Sequence, residues 1–151
     1  MFKKIGAVLL VGLVAAGPAP AAGALRGVVQ GTFTQPWTVD GSLTSSIKGA
    51  GAVNPLGRVT ASGAIIVGMP IGGGAGPNGV GITLSNAKGS VTLTLKTAGP
   101  TFPATFQYIV SNATGAFAGM KGKTGTANYK VTSSHFIPGV GNAGTFTLTL
   151  F

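Results

Sequence analysis

Along most of the chain apolar and polar residues alternate with a period of two, the repeat of a strand whose successive side chains point to opposite faces. Val29, Gly31 and Phe33 alternate with Gln30, Thr32 and Thr34, and Leu43, Ile47 and Val53 then share one parity with Ser45, Gly49 and Gly51. Asn54-Pro55-Leu56-Gly57 reads as a turn, because proline presets φ and glycine relaxes the final position. It returns the chain into Val59, Ala61, Gly63, Ile65 and Val67. The glycine-rich segment MPIGGGAGPNG, residues 69–79, follows as an exposed loop. Val80, Ile82 and Leu84 pair across residues 85–89 with Val91, Leu93 and Leu95, the clearest hairpin in the chain. Phe106, Tyr108 and Val110, then Ala127, Tyr129 and Val131, then Phe146, Leu148 and Leu150 supply three more strands.

Past the N-terminus no segment carries a 3.6-residue apolar period, so the predicted fold is all-β. Eight strands with one apolar face each suggest an antiparallel barrel, which removes the sticky edges of an open sheet; a β-sandwich is the alternative.

The N-terminus reads differently. Lys3 and Lys4 precede an apolar run from Ile5 to Ala16, which is short for a bilayer of about 30 Å and is followed by small residues and prolines. Residues 1–21 are expected to be a secretory signal peptide, with cleavage near residue 21 or 24. Residues 22–151 then form one domain, secreted, periplasmic or otherwise extracytoplasmic. There is no cysteine, so no disulfide or lipid attachment supports the exported domain.

Charged residues make up 7% of the chain, against about 25% in ordinary soluble domains, and glycine reaches 27 residues. Removing Lys3 and Lys4 with the leader leaves eight cations against one acid, Asp40. This favours anionic surfaces. The cations Arg26, Lys48, Arg58, Lys88, Lys96, Lys121, Lys123 and Lys130 stand singly, without the clustering of a nucleic-acid groove, so no specific nucleic-acid partner is predicted. A lipid-facing barrel is not predicted either: Phe151 has the opposite parity to Phe146, Leu148 and Leu150, and one Trp and two Tyr build no aromatic girdle.

With no glutamate and a single aspartate, the chain has no carboxylate pair for glycosidase-type chemistry and no carboxylate-rich cation site. His135 is the only histidine, so neither a protein-only metal site nor a cofactor is predicted. A Ser-His-Asp triad would need His135 and Asp40 and finds no GxSxG elbow. Asp40 before Gly41 reads as a turn residue, and His135 is placed in a loop from Ser133 to Pro138. The glycines of residues 111–131 lead into strand alternation, not into a helix ending in GK[ST]. They are read as corner residues: Gly115, Gly119 and Gly122 allow positive φ while Phe117 tucks beneath.

That corner, Thr114-Gly115-Ala116-Phe117-Ala118-Gly119-Met120-Lys121-Gly122 after the strand Phe106 to Val110, resembles the TG-x-F-x-G-x-x-G turn of the allene oxide cyclase and dirigent-like barrels. The likeness is best over residues 106–151. It implies an eight-stranded antiparallel barrel with an apolar cavity, often a trimer, binding hydrophobic small molecules. The family's catalytic glutamate has no counterpart here, and of its cavity aspartates only Asp40 is available.

Three functions remain open. The first is a secreted barrel binding a hydrophobic small molecule in or at its mouth, with Trp37, Phe106, Tyr108, Tyr129 and His135 as candidate lining. The second is a cationic structural or surface-associated envelope protein. The third is an isomerase- or cyclase-like enzyme that works without carboxylates.

Overall fold

The computed structural model of the chain describes residues 23–36, 44–66, 80–97 and 104–151. The leader with its cleavage position near residue 21, Trp37, Asp40, Leu43, Val67 and the loop 69–79 lie outside them, while the alternative cleavage position near residue 24 falls within them. Eight strands follow in order: β1 (Arg26–Gln35), β2 (Thr44–Asn54), β3 (Gly57–Ile66), β4 (Val80–Asn86), β5 (Gly89–Thr97), β6 (Ala104–Ala113), β7 (Thr124–Ile137) and β8 (Gly141–Leu150). Each pairs antiparallel with the next, and β8 pairs back onto β1 from Gly27↔Leu150 to Gln35↔Asn142. The chain is thus all-β, its strands forming one closed, ring-like antiparallel sheet. Closure leaves no sheet edge to pair with another chain over the length of that ladder.

The alternation sets which face turns inward. Val29 and Phe33 of β1, Ile47 and Val53 of β2, Val59 and Ile65 of β3, and Ile82 and Leu84 of β4 are all buried. So are Val91 and Leu93, Phe106 and Val110, Ala127 and Tyr129, and Phe146, Leu148 and Leu150 on the remaining strands. Each such aliphatic or phenyl side chain contributes about 1.5–3 kcal/mol on burial. Outward positions carry threonine, serine, glutamine and lysine, which supply the wetting that so few charges cannot.

Glycine occupies inward positions where the ring turns sharply. Gly31 and Gly49 face each other in register, and a Cβ on Gly31 would run into the backbone of Lys48 and Gly49. The neighbouring strand folds across the space a side chain would need, so glycine permits the curvature that closure requires.

The strands define two ends. At the turn end lie the β2–β3 and β4–β5 turns, a 3₁₀ turn over Gly115–Met120, and the segment that enters β1. At the other, here the loop end, β1, β3, β5 and β7 finish. The turn end is sealed: Leu25, Leu56, Phe117 and Met120 are buried there. The Asn86 side-chain amide donates to the carbonyls of Leu56 and Arg58 at 2.9 and 3.1 Å, binding one hairpin turn to the other. The Ser90 and Ala116 amides donate to Thr114 Oγ1 and the Lys88 carbonyl, at 3.0 and 2.9 Å, and these bonds hold the 3₁₀ turn against β5.

Two sequence expectations are corrected here. The glycine-rich corner holds a six-residue 3₁₀ turn; within it Gly115 has φ 61° and Gly122, just past its end, φ 88°, but Gly119 is not in the left-handed region. A Cβ on Gly119 would meet open space. His135 is in β7, not in a loop: β7 runs on to Ile137 because it pairs with β8 as far as Ile137↔Gly141, past a register shift between Val131 and Ser133. The hydroxyls of Thr132 and Ser133, each 2.7 Å from Thr145 Oγ1, knit this extension.

Candidate functional site

Two tyrosines face inward, and their hydroxyls meet opposite fates. Tyr108 pairs in register with Gly125, and a Cβ on Gly125 would collide with the Tyr108 ring, so the missing side chain is the notch that lets the ring lie across the floor. From there its hydroxyl accepts a hydrogen bond from the Leu25 amide at 2.9 Å and faces the Leu25 carbonyl at 3.4 Å. The Ala24 amide donates to the Thr124 carbonyl at 3.1 Å. Tyr108 therefore anchors the segment that enters β1 and belongs to the seal. Burial raises its phenol above the ordinary value, opposed by the hydrogen bond to Leu25.

Tyr129 lies further toward the loop end, in register with Ala104 on one side and Leu148 on the other. Its ring stacks on Phe146, centroids 5.4 Å apart and planes inclined at 29°. The residue is 1% exposed, and its hydroxyl is buried without a hydrogen-bond partner. Burial pushes this phenol up to about 12, because the phenolate would be still worse solvated than the phenol. An apolar wall with one unsatisfied hydroxyl is chemically suited to a molecule that is mostly hydrocarbon and carries a single hydrogen-bonding group.

Between that hydroxyl and the loop end the inward parity changes character. Ser45, on the inward face of β2, is buried, the one polar side chain so placed among the described residues. Gln35 and Asn142 are half-buried register partners on β1 and β8, beyond Phe33 and Gly144. These polar groups were passed over in the sequence. Their signal was polarity on the inward parity near strand ends, which is where a rim replaces a core.

Of the predicted lining residues, Phe106 and Tyr129 come together: both are buried, and Phe106 pairs with Ala127, two residues from Tyr129. Tyr108 lies on the same face but is committed to the floor. His135 stands exposed on the extended β7–β8 hairpin, near exposed Phe136 and Val140. Trp37 is outside the described residues. A separate shallow recess opens on the outer wall, lined by Ala50, Ala52, Arg58, Thr60, Ser85 and Asn86, and involves none of the predicted lining residues.

Among the described residues no cluster of His, Asp or Glu forms a metal site, and no helix is long and apolar enough to cross a membrane. In comparison with known proteins, no family model, curated protein or solved structure matches the chain.

Proposed function

We propose that the protein is an eight-stranded β-barrel, of the allene oxide cyclase and dirigent-like kind, that binds an apolar small molecule at its loop end. One observation carries this reading: the buried, unpartnered hydroxyl of Tyr129 in an otherwise apolar wall. Leaving such a group unpaired costs about 1–3 kcal/mol, a cost a ligand's carbonyl, hydroxyl or carboxyl would remove by bonding to it. Ser45, Gln35 and Asn142 supply polar contacts at the rim, and the stacked rings of Tyr129 and Phe146, with Phe106, supply apolar surface. Binding is favoured over catalysis because the chain offers no glutamate and one aspartate, leaving no carboxylate pair to move protons.

The test is a titration of delipidated protein with dodecanoic acid, followed by the NMR signals of the aromatic rings. Saturable shifts at Phe106, Tyr129 and Phe146 are expected, with affinity falling roughly tenfold in Tyr129→Phe, the loss of one hydrogen bond. Shifts confined to outward residues, or equal affinity in the variant, would sink the proposal.

A further inference from the structure

The cations that stand singly in the sequence do not stand singly in space. Arg26 opens β1, Arg58 is the second residue of β3, Lys88 is in the β4–β5 turn, and Lys121 and Lys123 lie between the 3₁₀ turn and β7. All five are exposed and all fall at the turn end. No acidic side chain lies at that end among the described residues. The remaining cations of the ring, Lys48, Lys96 and Lys130, sit along the walls.

Two further features join the cations there. Phe151, Ile109 and Val28 are exposed apolar side chains near the turn end, at 41%, 36% and 42%. Arg26 flanks the pair Gly27↔Leu150 on β1, and Phe151 flanks it on β8, which brings cation and phenyl side by side. The chain also enters here: the Ala24 amide donates to the Thr124 carbonyl, tying the segment just before β1 to this end.

We propose that the turn end is a docking face for anionic phospholipid membrane. Its cations would meet lipid phosphates, while Phe151, Ile109 and Val28 would press between headgroups. A membrane fits better than a nucleic acid, because the cations ring an end with apolar side chains among them and form no groove that could track a backbone. Seated this way, the loop end and Tyr129 face away from the membrane, so docking and ligand binding use opposite ends of the ring.

The test is co-sedimentation of the full chain with vesicles of phosphatidylcholine alone and of phosphatidylcholine mixed with phosphatidylglycerol. Lys3 and Lys4 beside the N-terminal apolar run also favour the mixed vesicles, so the charged face is isolated by comparing turn-end and wall variants, which share that segment. Binding to the mixed vesicles is expected to be roughly tenfold tighter or more, given about fivefold per cation near an anionic leaflet. It should fade as ionic strength rises from ~0.01 to ~0.15 M and the screening length shortens from about 30 to about 8 Å. The variant R58Q/K88Q/K121Q/K123Q should lose most of the preference, and K48Q/K96Q/K130Q should keep most of it. If the quadruple variant does not fold, K121Q/K123Q replaces it, with a loss of about one order of magnitude expected. Equal binding to both vesicle types, equal loss in the wall variant, or displacement from vesicles by an equal charge of duplex DNA would each overturn the proposal.

Discussion

Deleting one oxygen atom from each inward tyrosine should change stability in opposite directions. In Tyr108→Phe the ring keeps its place over Gly125, but the Leu25 amide, in a residue with no exposed surface, loses its 2.9 Å acceptor. An orphaned buried amide costs about 1–3 kcal/mol. In Tyr129→Phe the ring keeps its stack on Phe146, and the atom removed is a buried hydroxyl that bonds to nothing. Burying an unpaired hydroxyl costs about 1–3 kcal/mol, so its removal, less the small void left behind, should stabilise by about 1 kcal/mol. The two variants should therefore differ by about 2–4 kcal/mol. For a domain of this size that is about 6–20 °C in melting temperature, since 1 kcal/mol corresponds to roughly 3–5 °C. Urea unfolding of delipidated protein, followed by far-UV circular dichroism, measures both against the parent. If Tyr129→Phe is destabilised as much as Tyr108→Phe, the Tyr129 hydroxyl has a partner in solution. The observation behind the proposed ligand site then falls with it.

Three other outcomes follow from the same geometry. The Tyr129 phenol ionises near 10.0 when unfolded and near about 12 when folded, so its contribution is complete below pH 10.0 and is lost as pH rises toward about 12. A fall of about 3 kcal/mol is expected over that window, and urea midpoints should show a shallower fall in Tyr129→Phe, where Tyr108 is the one tyrosine left to ionise. Phe117→Ala removes a ring buried under the 3₁₀ turn and should cost about 3–5 kcal/mol; an unchanged thermal melt would show that the ring is not core. Gly119→Ala should be near neutral, whereas Gly122→Ala, at φ 88°, should cost about 1–2 kcal/mol, and equal melts for the two would refute the backbone argument.

The placement of sites was less legible than the strands. Phe106 and Tyr129 were readable as inward-facing because parity is a property of the strand itself. That one tyrosine hydroxyl is satisfied and the other is not could not be read, since the partner of Tyr108 is the backbone of Leu25, 83 residues away. His135 was misplaced because residues 131–137 show no alternation of burial: all but Ile137 are exposed, and the segment is a strand through its ladder to β8 alone.

The sequence by itself determined the all-β class, the eight strands and their order, the turn from Asn54 to Gly57 and the burial of Phe117. These depend on local preferences: period-two alternation, the fixed φ of proline and the freedom of glycine act within a few residues. The tertiary structure decided what depends on contacts between distant residues. It joined β8 to β1, fitted the Tyr108 ring over Gly125, and left Tyr129 without a partner. It also turned five separately placed cations into one charged end, because an up-and-down ring brings every second connection to the same side.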